Sequence, residues 1–151
     1  ARLLQRFDTD LKPTPGFDAM LSSLGDRRIC VATSSSPPRV AHTLKVLGLT
    51  DRFGAHVFTA SQVARGKPDP ESALKACSEM QTDPAGCIFV GDHLRDIQAG
   101  RAAGMATIAA LYGYLPADED HLAWQATHSV QHASELLPWL QQRHQPETSH
   151  V

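Results

Sequence analysis

Apolar and polar positions along the chain follow two alternating periodicities. Short apolar or β-branched runs at Arg28–Thr33, His56–Thr59, Cys87–Val90 and Met105–Ala110, with a shorter one at His128–Val130, are bounded by Gly, Pro, Asp or Ser. Such bounded runs are strand signals. Between them lie helical stretches of about ten residues. Val40, Leu44, Val46 and Leu47 belong to one that Ser36 can cap, with Pro37 at its first position and Gly48 past its end. Ala73, Leu74, Cys77 and Met80 make the next, opened by Asp69-Pro70 and closed at Asp83-Pro84. A third covers Leu94–Ala103 and stops at Gly104, and a last starts at Ser134 and carries Leu136, Leu137, Trp139 and Leu140. Strands alternating with helices predict an α/β fold, a Rossmann-like parallel sheet flanked by helices on both faces.

In such sheets ligands collect beyond the carboxyl ends of the strands, so the residues directly after each apolar run come first. Thr33, Ser34, Ser35 and Ser36 follow the first run, Gly91, Asp92 and then Asp96 follow the third, and Lys67 stands between them in Gly66-Lys67-Pro68-Asp69-Pro70. Each has a bland explanation: a helix cap, a solvated charge, a turn, a first-turn acid. Together, a hydroxyl, a cation and paired carboxylates make a phosphate-plus-metal set. Hydroxyls and backbone N–H groups cradle phosphate oxygens, a lysine neutralises them, and carboxylates hold an oxygen-loving divalent ion.

Composition narrows the classes. The 151 residues carry 14 Lys plus Arg against 16 Asp plus Glu, a formal charge of -2, which argues against a dedicated nucleic-acid or anionic-membrane binder. The longest mostly apolar stretch, Ala102–Leu111, is far short of the ~20 residues of a spanning helix, so a soluble, cytoplasmic protein is expected. Cys30, Cys77 and Cys87 lack Cys-x-x-Cys spacing and read as reduced packing residues. His128 and His132 are four apart with no Glu after the first, a poor zinc pair. Trp124 and Trp139 read as core and surface anchors.

The order Thr33, Lys67-Pro68, then Gly91-Asp92-His93-Leu94-Arg95-Asp96 resembles motifs II, III and IV of the haloacid dehalogenase superfamily. It is similar in particular to phosphoglycolate phosphatase-like and β-phosphoglucomutase-like members. Pro15-Gly16, Asp96-Ile97-Gln98-Ala99-Gly100, Ala103-Gly104-Met105 and Tyr112-Gly113-Tyr114 extend the likeness over about Leu11 to Leu140. The resemblance implies a Mg²⁺-dependent phosphatase of a small phosphorylated metabolite, with a phosphomutase as an alternative on the same core. Thr33 and the Ser34 N–H would bind the transferring phosphoryl group and Lys67 would hold its developing charge. Asp92 would ligate Mg²⁺ directly, and Asp96 directly or through water. Ser35 and His93 are candidate substrate contacts by position, with His93 facing either substrate or solvent. A receiver domain, which uses similar groups, would run acidic pair, phosphoacceptor Asp, hydroxyl and then lysine, whereas here the acidic pair comes last.

One departure weighs against the matches. These enzymes attack phosphorus with an Asp of an Asp-x-Asp-Gly-Thr motif that ends the first, central strand, forming an aspartyl phosphate. That motif is absent. Asp8-Thr9-Asp10 runs into Leu11-Lys12-Pro13, and Gln5 and Arg6 stand where a buried strand would be apolar. The resemblance therefore implies that residues 1–12 are the remnant of a cap helix and its return linker, 13–142 the core, and 143–151 a polar tail. The central strand and nucleophile would precede Ala1, and the chain by itself would be a catalytically incomplete binding or structural piece.

Overall fold

A computed structural model describes residues 11–113 and 115–142, so Asp8, Asp10, Tyr114 and the polar tail lie outside the described residues. Strand β1 (Val31–Thr33) pairs in parallel with β2 (Val57–Thr59), Val31 opposite Val57 and Thr33 opposite Thr59. A second ladder sets β3 (Ile88–Gly91) parallel to β4 (Ala106–Ala110) and β4 parallel to β5 (His128–Val130). All five strands fall on the predicted runs. The first begins at Val31 instead of Arg28, because the ladder can be no longer than its partner β2, and the Arg28 guanidinium is engaged instead by the Met80 carbonyl at 2.6 Å.

The helices are α1 (Phe17–Ser23), α2 (Pro37–Val46), α3 (Thr50–Phe53), α4 (Glu71–Glu79), α5 (Leu94–Ala102) and α6 (Leu136–Gln142). Successive strand residues point to opposite faces, and the burial follows that rule. On one face Val31, Ile88, Ile108 and Val130 pack with Met20, Leu21 and Leu24 of α1 and its end, Val40 and Leu44 of α2, and Leu136 of α6. On the other, Ala32 and Phe89 meet Ala73 of α4, while Ala109 meets Ile97 of α5 and the buried Trp124. Helices thus cover both faces, as expected.

The parallel order is interrupted between β1 and β3: among the described residues they belong to separate ladders. They nonetheless lie in one layer, because Val31 and Ile88 share one apolar cluster and Ala32 and Phe89 share the other. His128 stands in β5 and its ring lies 3.9 Å from that of Trp139, while His132 caps a 3-10 turn, so the two histidines do not share a helix face. Among the described residues no helix is long and apolar enough to cross a membrane.

Helix α5 carries Asp96 and is seated by Gly100. A Cβ there would lie 2.7 Å from Thr107 Cγ2 and 2.8 Å from Phe89 Cβ, closer than packed atoms allow. Gly100→Ala should therefore destabilise the chain by about 1–3 kcal/mol through overpacking, read as a lowered urea midpoint with unchanged slope. An unchanged midpoint would mean that α5 can lift off the sheet at no cost.

Candidate active site

Thr33 ends β1, and its Oγ1 accepts the Ser35 N–H at 3.1 Å, which leaves the hydroxyl proton available to donate. Ser34 is exposed and Ser35 half-buried. Ser36 is the N-cap of α2, as predicted, but its side chain makes no capping hydrogen bond. The next two residues are Pro37 and Pro38, which carry no N–H. Any amides offered to a phosphate on this side therefore come from the Ser34–Ser36 turn and from Arg39 onward, not from the first two helical positions.

Lys67 is delivered by the loop that follows β2. That loop is tied down by carboxylates: Glu71 accepts the N–H groups of Ala64 and Arg65 at 2.8 and 2.9 Å, and Asp69 accepts that of Glu71 at 2.9 Å. The Lys67–Pro68 peptide is cis. From there Lys67 Nζ reaches Asp96 Oδ1 at 2.6 Å and the Ala32 carbonyl at 3.4 Å. Both charged side chains are nearly buried, 13% and 11% exposed. A pair this shielded is held by Coulomb attraction little screened by water, and losing either partner would strand the other.

Asp96 lies in the first turn of α5, where its Oδ2 also accepts the His93 N–H at 3.2 Å. His93 Nδ1 in turn accepts the Arg95 N–H at 3.2 Å, so the two side chains close a capping box. His93, expected as a substrate contact, is thus exposed and already occupied at one ring nitrogen as the N-cap of α5. Asp92, half-buried, directly follows β3. Two glycines make room for the acids: a Cβ on Gly91 would lie 2.7 Å from Asp96 Oδ2, and one on Gly113 would lie 2.8 Å from Asp92 Cγ. The phenol of Tyr112 is pushed up, first by burial and then by the charge of Asp92.

The structure therefore brings Thr33, Lys67, Asp92 and Asp96 to the carboxyl ends of β1 and β3. Among the described residues no three His, Cys, Asp or Glu form a ready-made metal cage. An all-oxygen pair of carboxylates at one strand end nevertheless suits Mg²⁺, which keeps several waters and completes its octahedron with substrate phosphate. Asp92 would hold it directly. Asp96, with both oxygens engaged by Lys67 and His93, fits the water-mediated role. A cavity of about 540 Å³ lies elsewhere, lined by Arg65, Asp69, Glu71, Lys75 and Ser78 among others; none of Thr33, Lys67, Asp92 and Asp96 lines it. The Gly113 contact escaped sequence reasoning, because nothing in spacing shows the loop after β4 touching Asp92.

A family model for haloacid dehalogenase-like hydrolases matches residues 2–104, and the chain belongs to that family. It is 36% identical over 128 residues to an N-acetylmuramic acid 6-phosphate phosphatase of Pseudomonas aeruginosa, covering 83% of this chain and 56% of that protein. It is 43% identical over 124 residues to a phosphoglycolate phosphatase of Xanthomonas campestris pv. campestris, covering 80% and 55%. The chain thus spans about half the length of the curated relatives it matches. The fold superposes with a TM-score of 0.82 on a haloacid dehalogenase-like protein of unknown function from Agrobacterium tumefaciens, at 26% identity, covering 91% of this chain and 64% of that one.

The geometry separates the two acids. Asp92→Asn should weaken Mn²⁺ binding, measured by the free-ion electron paramagnetic resonance signal, about tenfold more than Asp96→Asn. The reverse ranking would make Asp96 the direct ligand.

Proposed function

We propose that this chain is the phosphate- and metal-binding part of a Mg²⁺-dependent phosphatase that acts on a small phosphate monoester. The observation that carries the reading is the Lys67–Asp96 pair at 2.6 Å, set against the Ala32 carbonyl next to Thr33. It puts the cation, the hydroxyl and the acidic strand end within one cluster. The two relatives are named for N-acetylmuramic acid 6-phosphate and phosphoglycolate. Both are phosphate monoesters of small carboxylic acids, and that class is the substrate proposed here. The setting is the cytosol, where three free thiols persist.

In this reading the Thr33 hydroxyl and the Ser34 N–H hydrogen-bond the phosphoryl oxygens. Lys67 neutralises charge that builds on them, a preorganised donor whose position is fixed before substrate arrives. Asp92, packed against Gly113, and Asp96, packed against Gly91, would hold the ion, which would supply positive charge to offset that of the phosphoryl group. The attacking carboxylate belongs to the Asp-x-Asp-Gly-Thr strand that this sequence lacks. Its place is the interruption between β1 and β3.

Two measurements test this. In a protein that joins this chain to such a strand, phosphate release from phosphoglycolate or N-acetylmuramic acid 6-phosphate should require Mg²⁺. Lys67→Met should lower kcat about hundredfold or more there, the scale of losing one transition-state donor. Retention of full kcat by Lys67→Met would remove Lys67 from the site. The 151-residue chain alone should show no turnover, since its sequence carries no Asp-x-Asp-Gly-Thr motif to supply the attacking carboxylate. Turnover abolished by Asp8→Asn would show instead that Asp8 supplies the nucleophile.

A further inference from the structure

The three cysteines, scattered in sequence, converge at the opposite end of β3 from Asp92. Cys77 lies in the last turn of α4 and Cys87 directly precedes β3; the chain doubles back between them through the 3-10 turn Pro84–Gly86. The Cys77 thiol is aimed at Cys87, Sγ to Sγ 3.8 Å. Cys77 is buried at 4% exposure, whereas Cys87 is half-buried and its thiol also lies 3.3 Å from the Asp83 carbonyl and 3.4 Å from Thr82 Oγ1. All three are free thiols. A disulfide needs ~2.05 Å between sulfurs, so closure asks for an approach of about 1.8 Å by two side chains already facing each other.

We propose that Cys77 and Cys87 form a thiol oxidation site that a hydroperoxide converts reversibly to a disulfide. The Cys87 sulfur, the accessible one, attacks a peroxide oxygen; the O–O bond breaks, giving Cys87 sulfenic acid and, with the thiol proton, water or an alcohol. The Cys77 sulfur then attacks the Cys87 sulfur, the S–S bond forms and the S–O bond breaks. The departing hydroxide takes the Cys77 proton and leaves as a second water. Two thiols are oxidised by two electrons and one peroxide is reduced. Burial, and then the neighbouring Cys87, push the Cys77 thiol up to about 11, which disfavours its thiolate and leaves the more accessible Cys87 to meet the oxidant. Cys30 is raised likewise to about 11, by burial and then by Cys87, but makes no sulfur contact of its own.

Peptide mapping decides the matter with little ambiguity, because trypsin leaves Cys77 and Cys87 together in peptide 76–95 and Cys30 in peptide 29–39. The folded 151-residue chain is treated with hydrogen peroxide, alkylated and digested. Peptide 76–95 should be two mass units lighter, after allowance for Met80 sulfoxide, resistant to alkylation, and restored by dithiothreitol, while 29–39 stays alkylated. In Cys77→Ser the intermediate should instead accumulate as a dimedone adduct on 76–95. Full alkylation of both cysteines after peroxide, or a cross-link joining 29–39 to 76–95, would overturn the proposal.

Discussion

The ion pair between Lys67 and Asp96 is the contact on which the arrangement of the site depends. It is the charged bond that ties the loop after β2 to the first turn of α5, and it does so beside the end of β1, across the place where the two ladders fail to join. Both side chains are almost withdrawn from water. Their desolvation is offset only because each finds further partners: the Ala32 carbonyl for the lysine, the His93 amide for the aspartate. The same network that seats α5 by its capping box therefore also fixes the cation next to Thr33. In the proposed function, stability and phosphate binding would be carried by the same atoms.

Around that pair the positions of the acids are set by what is missing from their neighbours. Gly91 and Gly113 leave the space that Asp96 and Asp92 occupy, and Gly100 lets α5 lie directly on Phe89 and Thr107. A glycine at each of these positions is a steric requirement, not a matter of backbone freedom. Pro37 and Pro38 act in the opposite sense. They start α2 at the predicted residue yet remove the two amides that a helix N-terminus would ordinarily offer an anion, so in the proposed function phosphate recognition would rest more on Thr33, Ser34 and Lys67.

Most of the framework could be read from the chain. The strand runs, the Ser36-Pro37 start, the Gly104 stop and the two-sided burial all express local periodicity and turn chemistry, which single sequences carry well. The order hydroxyl, lysine, acidic pair is legible in the sequence as well, through its resemblance to the family's motifs. What could not be read depends on contacts between distant segments: Gly113 against Asp92, the carbonyl of Ala32 under Lys67, and the meeting of Cys77 with Cys87 across a reversing turn. The Cys-x-x-Cys criterion misses such a thiol pair because nine residues of helix end and turn separate its members. Nor could the sequence show that the exposed His93, beside Asp92, accepts the Arg95 amide at Nδ1 and so caps its own helix.

The central claim is that phosphate and a divalent ion meet at the carboxyl ends of β1 and β3. Amide chemical-shift mapping of the isotopically labelled chain, titrated with Mg²⁺ and inorganic phosphate together, tests it most directly. The account predicts the largest shifts at Thr33, Ser34, Lys67, Asp92 and Gly113, larger with both ligands than the sum of each alone. Shifts confined to the cavity lined by Arg65, Glu71 and Lys75, with the strand ends unmoved, would contradict it.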